Sequence, residues 1–486
     1  MTVVKKHHQL YDELTAIVGS KHVSDEDFTL LSYTRDMSLF PPGKPQGIVV
    51  CPGCTEEIVQ IVRLANQTRI PLMPMGGKAS MSGVPPGQPG RGIIVDMRRM
   101  NKVIEIDEVN MAVTAECGIT LGELAGKVNE RGWDVHTAAM PHYVATLGGQ
   151  ISGVPSGGYG AYGFSIGGNW HYVLGLKVVL PNGSVIETGT GPGSVTSYRG
   201  HTWARGMHGP DTTSLFIGDG GIFGIKVEAT CRMFRLPKFR KGGAWTFDSV
   251  DDAFKAYSSL WEIDPFIYMQ PYAAGSVVSP ETINLGTMGM APAEWTVIFS
   301  AVGNSEEEVE LKIKTTNELL KAAGGKVGAP DAAEFGITFT TFSRDLGLLA
   351  TMGQLPLFEL FASRRDALEC FKWSREFVLK GLGEKSNDRS EISFLESASA
   401  WGTGLAITSV IPMFDPSDQE LREKIFELQW RFVELGASRG FVNHSSQSWE
   451  SRLKARYWSP ELYNYILTLK KAFDPNNIMN PGMWGL

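Results

Sequence analysis

Between Pro74 and Gly83 the chain reads Pro-Met-Gly-Gly-Lys-Ala-Ser-Met-Ser-Gly, between an amphipathic stretch (Glu56 to Asn66) and the apolar run Gly92-Ile-Ile-Val-Asp96. The segment is rich in Gly and Ser and holds no acidic residue. Gly removes the Cβ obstacle and leaves main-chain N–H groups free to point at an anion, so the pattern suits a backbone that approaches phosphate oxygens closely. Two further Gly-rich turns, Thr146-Leu-Gly-Gly149 and Gly218-Asp-Gly-Gly-Ile-Phe-Gly224, follow in the same half. Three anion-tolerant turns among short β-like runs imply one large phosphate-bearing cofactor.

A chain of 486 residues has room for two or more domains with proper cores. Its 43% hydrophobic and 20% charged content is that of an ordinary globular protein, which excludes a disordered or fibrous one. The net charge of -7 argues against a nucleic-acid surface. No apolar run approaches the roughly 20 residues that cross a bilayer. The start, Met-Thr-Val-Val-Lys-Lys-His-His, lacks the apolar core of a signal peptide. Five unevenly spaced cysteines make no disulfide framework, so the cytoplasm is the expected compartment. Cys51-Pro-Gly-Cys54 has no second CxxC to pair with for a metal or cluster, and a structural reading outweighs a redox dithiol.

Residues 1–44 read as a helical lead-in. From 45 to 237 short β-like runs dominate, interrupted by two helices whose apolar faces are Ile58, Ile61, Val62, Ala65 and Leu121, Leu124, Ala125, Val128. Val103 to Ile106 with Ala112 to Glu116, and Val173 to Leu180 with Val185 to Thr188, alternate as hairpins. In the second, Asn182-Gly183 supplies the positive φ of a tight turn. Residues 238–440 alternate long helices (about 249–261, 305–323, 365–382 and 416–438) with strands near 294–302, 356–361 and 404–412. That order predicts a separate α+β domain, an antiparallel sheet with helices on one face. Residues 441–486 form a closing segment. The fold class is α+β.

Taken together, the turns, Tyr172-Val-Leu-Gly-Leu-Lys-Val-Val-Leu-Pro-Asn-Gly183, Gly209-Pro-Asp211 leading into Leu215 to Ile225, and Phe473-Asp-Pro-Asn-Asn-Ile-Met-Asn-Pro-Gly482 resemble the FAD-linked oxidase superfamily of vanillyl-alcohol oxidase and p-cresol methylhydroxylase. Within it they resemble the branch of glycolate oxidase and D-lactate dehydrogenase flavin subunits. The resemblance implies a two-part FAD-binding domain of the p-cresol methylhydroxylase type over 45–237, a substrate cap over 238–440, and a C-terminal segment returning to the flavin. By the same resemblance Pro74, Met75, Gly76, Gly77, Lys78, Ala79 and Ser80 hold the pyrophosphate, mostly through main-chain N–H groups. Ser82, Gly83, Thr146, Gly148, Gly149, Gly221, Gly224 and Ile225 line the rest of FAD, and Asn480 lies near the ring. The loop has Lys78 and no His, so the His attachment of FAD found in some relatives is not expected.

Oxidising an alcohol with a flavin requires a base for the hydroxyl proton, a task suited to a His with pKa near 6.5. Phe441-Val-Asn-His444 matches the relatives' stretch that carries this base, and names His444. A substrate carboxylate needs a cation such as a bidentate Arg. Leu360-Phe-Ala-Ser-Arg-Arg resembles the cap segment that supplies it and names Arg364, with Arg452 and Arg456 as substitutes. Metal-dependent relatives use two His and a Glu, whereas this chain has no His in Ala400 to Thr408 and Asn443 at the Glu position, so no metal is expected.

The expected reaction is oxidation of a CH–OH group, with a 2-hydroxy acid as substrate and hydride passing to flavin N5. The alternatives are an aromatic or other neutral alcohol, with aromatic residues of Trp261 to Tyr272 lining an apolar pocket, or a flavin-carrying subunit of a larger dehydrogenase. Without a built-in iron–sulfur motif, electrons leave to oxygen, a quinone, an electron-transferring flavoprotein or a separate Fe–S subunit. A homo- or hetero-oligomer is compatible with all three readings.

Overall fold

The computed structural model describes the chain apart from residues 1, 37, 40–46, 80–91, 136–142, 154–168, 191–204, 207–208, 261–273, 279–294, 329, 331–332, 334–355, 388–391, 402–403, 416 and 444–447. Two units share the chain. Met1–Gly157, Asn169–Phe234 and Ser445–Leu486 make the first, and Arg235–His444 the bulk of the second.

In the first unit, α1 (Thr2–Val18) and α2 (Asp27–Leu31) bracket β1 (Val23–Ser24), which pairs antiparallel with β2 (Ile48–Val50). The lead-in therefore contributes an edge strand and is not purely helical. Two residues of β structure give too short a period to read from sequence. Next comes α3 (Thr55–Thr68), whose Ile58, Ile61, Val62 and Ala65 fall on one face at helical spacing and are fully buried. It ends at Arg69 in the left-handed region, φ 55, where the main chain turns into β3 (Leu72–Met75). β4 (Ile93–Asp96) lies between β2 and β3 and runs parallel to both. Every residue of β2 and β4 is buried, as strands covered on two faces require.

A second sheet in this unit has the order β5–β6–β10–β8–β9, from β5 (Val103–Asp107), β6 (Ala112–Glu116), β8 (Val173–Val179), β9 (Val185–Glu187) and β10 (Ile225–Arg235), with β7 (Trp133–Val135) pairing β10. Both expected hairpins are present, and Gly183 takes φ 80 at the turn of the second. α4 (Leu121–Asn129) starts where the Thr120 hydroxyl accepts from the Glu123 N–H. Thr146 to Gly149, read as a Gly-rich turn, instead opens a short helix, α5 (Leu147–Gly153).

The second unit is built on an eight-stranded sheet in which every pairing is antiparallel, of order β14–β11–β13–β12–β16–β17–β15–β18. Its strands are β11 (Phe239–Phe247), β12 (Ala274–Val278), β13 (Trp295–Gly303), β14 (Lys326–Val327), β15 (Phe358–Ser363), β16 (Ile392–Trp401), β17 (Leu405–Phe414) and β18 (Val442–Asn443). Helices α6 (Val250–Leu260), α7 (Glu306–Ala322) and α8 (Ala367–Leu382) lie in one core with Trp245, Val297, Phe299, Ala398 and Ala406. By strand alternation these sheet residues share one face. A further helix, α9 (Gln419–Ser438), packs beside α8 through Trp373 stacked on Phe432 at 5.3 Å. The sequence reading missed β11, β12 and β16 and the two-residue strands β14 and β18. β11 is interrupted by Gly242 and Gly243, which dilute the apolar signal, yet a Cβ at Gly243 would strike Phe299 of β13 at 2.2 Å.

The chain returns to the first unit through α10 (Ser448–Ala455) and α11 (Pro460–Phe473). The last residues divide between its two cores. Ile478 and Met479 enter the core of α3 and the parallel sheet, while Met483 and Trp484 enter that of β6, β8 and β10.

Candidate functional site

Four segments far apart in sequence meet in the first unit. β3 runs directly into the Gly76–Ala79 turn. Leu72 donates its N–H to Ile478 O at 2.7 Å, and Asn480 donates to Leu72 O at 2.9 Å, so the C-terminal segment lies along β3. The Asn480 amide donates to Gly220 O at 2.6 Å and Trp484 Nε1 to Asp219 O at 3.2 Å, tying the same segment to the Gly218–Gly224 turn. Gly221 takes φ 77, and a Cβ there would stand 3.9 Å from Asn480 Nδ2 and 4.0 Å from Pro74 Cγ. Pro74, Gly221 and Asn480 thus meet at van der Waals distance, and it is the positive φ of Gly221, not lack of room, that favours glycine there.

The first Gly-rich turn packs backbone against the second. A Cβ at Gly76 would stand 2.0 Å from Thr146 Oγ1, and one at Gly77 1.5 Å from Val144 O, so neither tolerates a side chain without displacement. Thr146 Oγ1 also accepts from Gly149 N at 3.3 Å. Gly148 faces elsewhere, since its N–H donates to Cys117 O at 2.8 Å and its Cα packs on Cys117. Gly224 abuts Val179 O, and the Ile225 side chain is buried in the α3 core, so from these two only main-chain groups are offered to a ligand. Ser80, Ser82, Gly83 and His444 lie outside the described residues, as do the aromatics from Trp261 to Tyr272.

Lys78 is the departure within the turn. It adopts φ 57, a left-handed conformation that costs an L-residue roughly 1–2 kcal/mol. Its ammonium points back to the lead-in, donating to Ser32 O at 2.8 Å and lying 4.3 Å above the Tyr33 ring. Burial holds its pKa below the ordinary lysine value, reinforced by Arg98 and opposed by Asp96. Tyr33 Oη donates to the buried Asp96 at 2.6 Å, and Arg98 pairs with the same carboxylate. Burial and then Asp96 push the Tyr33 pKa up. Burial raises the neighbouring Cys51 thiol to about 11, which leaves it protonated and unreactive near neutrality.

Buried charges fix the C-terminal return. Lys470 Nζ donates to Asp474 Oδ2 at 2.5 Å, Ile222 O at 3.0 Å and Met479 O at 2.8 Å. Asp474 accepts in turn from Ile478 and Met479 N–H, forming the turn that aims Asn480. Burial lowers the Lys470 pKa, and Asp474 and then Asp219 counter it. Lys226 spans 2.7 Å to Asp219 inside the Gly218–Gly224 turn. None of these four charges was singled out from sequence. Asp219 and Lys470 are brought close by folding alone, although the i,i+4 spacing of Lys470, in the last turn of α11, and Asp474, just past its end, was a readable hint.

Arg364 belongs to the second unit. It follows β15, its N–H donates to Gly404 O at 3.2 Å, and it is partly buried. Burial lowers the guanidinium pKa and Tyr257, a residue of the helix-side core, opposes this. Asn443, the residue before His444, pairs with Leu360 of the same strand. On the sheet face away from the helices, Glu359 is fully buried and accepts from Ser409 Oγ at 2.7 Å. Among the described residues no group of three or more His, Cys, Asp or Glu is arranged to hold a metal, and no helix is long and apolar enough to cross a membrane.

Residues 46–189 match the FAD binding domain model and residues 450–484 match the model of the FAD linked oxidases, C-terminal domain. The two matches contain three of the four converging segments. The chain is an FAD-linked oxidoreductase.

This oxidoreductase is 24% identical over 483 residues to the glycolate oxidase subunit GlcD of Bacillus subtilis, covering 97% of this chain and 95% of the relative. It is 23% identical to the D-2-hydroxyglutarate dehydrogenase of Stutzerimonas stutzeri, covering 97% and 98%. The crystal structure of p-cresol methylhydroxylase with substrate bound superposes with a TM-score of 0.81 over 99% of this chain and 96% of that one, at 17% identity. That likeness shows the fold, with the mixed helix and sheet architecture and antiparallel second sheet expected from sequence.

Proposed function

We propose that this FAD-linked oxidoreductase oxidises the CH–OH carbon of a 2-hydroxy acid. The flavin, when bound, supplies a two-electron acceptor for the hydride. The observation that supports its location is the convergence of Pro74, Gly221 and Asn480, with Gly76 and Gly77 closed against Val144 and Thr146. In this reading the main chain of Pro74 to Ser80 binds the pyrophosphate, where a Cβ-free backbone lets N–H groups approach phosphate oxygens. Ser82, Gly83, Thr146, Gly149, Gly221 and the main chain at Gly224 and Ile225 line the remainder, with Asn480 near the ring.

His444 takes the hydroxyl proton and Arg364 neutralises the substrate carboxylate. Asn443, which precedes His444, pairs with Leu360, four residues before Arg364, so the pairing ties the two segments to one sheet without by itself bringing the two side chains together. No metal takes part, and His444 and Arg364 carry the polarisation and charge themselves. The names of the relatives, glycolate oxidase and D-2-hydroxyglutarate dehydrogenase, favour a small hydroxy acid over other alcohols.

A second reading, a neutral aromatic alcohol, draws support from Glu359. In its ionised form, the buried Glu359 on the sheet face away from the helices would repel a substrate carboxylate placed against that face. Anaerobic mixing of the FAD-loaded protein with lactate, glycolate, 2-hydroxyglutarate and benzylic alcohols separates the readings. Bleaching of the flavin by the acids supports the first, and bleaching by the benzylic alcohols alone replaces it with the second. No bleaching by either removes both and leaves a flavin-carrying subunit.

A further inference from the structure

We infer that Lys78 is a positioning residue that couples the lead-in segment to the FAD loop: its side chain, clamped on Ser32 and Tyr33, holds the left-handed backbone turn that presents the loop's main chain to the dinucleotide. This rests on the assignment of Pro74 to Ala79 to FAD. In a Gly-rich turn an ammonium would be expected to face the phosphates, yet Lys78 Nζ donates to Ser32 O at 2.8 Å and sits 4.3 Å over the Tyr33 ring. Tyr33 is itself fixed, because its hydroxyl donates to Asp96 at 2.6 Å. Asp96 ends β4 directly beside Met75, the last residue of β3. The contacts therefore close a ring: Met75 leads to Lys78, Lys78 to Tyr33, Tyr33 to Asp96, and Asp96 back to Met75. A lysine at φ 57 is strained, and a hydrogen bond with a cation–π contact is what offsets that strain.

Two roles for Lys78 make opposite predictions for glycine. If only backbone conformation matters, Lys78→Gly relieves the strain and binds FAD as well as the parent or better. If the clamp positions the loop, Lys78→Gly and Lys78→Met each weaken FAD binding by about tenfold or more, while Lys78→Arg, which keeps the cation, stays within about threefold. Tyr33→Phe keeps the ring face and should fall between the parent and Tyr33→Leu. Coupling is reciprocal, so FAD should also slow amide exchange in residues 27–34 of the parent and not of Lys78→Gly.

The experiment titrates each apoprotein with FAD by flavin fluorescence and calorimetry, after circular dichroism has verified folding, and maps exchange with and without FAD. Wild-type Kd retained by Lys78→Gly, with unchanged protection of 27–34, overturns the inference. If FAD binds the parent without protecting residues 75–79, the assignment of the loop itself fails, a separate and distinguishable result.

Discussion

The side-chain amide of Asn480 donates to Gly220 O at 2.6 Å across 260 residues of sequence, while the Asn480 main-chain N–H donates to Leu72 O. One residue thereby pins the Gly218–Gly224 turn and the strand that leads into the Gly76–Ala79 turn. Asn480→Ala leaves the buried Gly220 carbonyl without its amide donor, a loss worth about 1–3 kcal/mol. Denaturant unfolding of the apoprotein should show that loss, and FAD titration a weaker Kd. An unchanged unfolding midpoint would show that the bond contributes nothing.

Lys470→Met leaves Asp474 buried without its cation, and breaking a buried pair from one side costs about 3–5 kcal/mol. The double variant Lys470→Met, Asp474→Leu should recover only part of this, because Asp474 also accepts from Ile478 and Met479 N–H. Full recovery in equilibrium unfolding would mean those two bonds are energetically silent.

Asp96 makes the stability of the first unit sensitive to acid. Burial raises its pKa, but the bonds from Arg98 and Tyr33 outweigh it and the net direction is down. A carboxylate whose folded pKa lies below its unfolded value stabilises the fold above the unfolded value, near 3.9 for Asp, and the contribution fades as pH falls through the folded pKa. The unfolding free energy should therefore drop below about pH 4, and Asp96→Asn should flatten that part of the profile. Parallel profiles for parent and variant would remove Asp96 as the source.

His444→Ala should cut turnover by about 10²–10⁴ while FAD stays bound, as loss of a general base does. Steady-state rates together with the flavin absorbance of the purified variant check both parts. Near-parental turnover would take the base role away from His444.

Arg364→Lys should raise KM for an acid substrate far more than for a neutral alcohol, because a lysine cannot make the bidentate pair with a carboxylate. Equal changes for both substrates would assign Arg364 to the packing beside Tyr257 instead.

Much of the fold was legible because its signals are local. The apolar faces of α3 and α4 and Asn182-Gly183 each declare themselves within a few residues. The long helices of the second unit were placed to within a few residues for the same reason. β11 and β16 were not, since glycines or serines and alanines occupy positions where an isolated strand would show an apolar period. The Gly-rich turns were visible as sequence, but their meeting was not. It depends on Lys470 reaching Ile222 O and Asn480 reaching Gly220 O, contacts made across 248 and 260 residues. The short strand Val23–Ser24 exists only because β2 is there to pair with it.

The assignment of the cofactor site is tested most directly by a hydrogen-exchange map of the apoprotein against the same protein saturated with FAD. Slower exchange in all four segments, residues 74–79, 144–149, 218–224 and 478–482, with FAD bound at one equivalent, is the predicted result. Stoichiometric FAD binding that leaves these four segments exchanging at unchanged rates would contradict it.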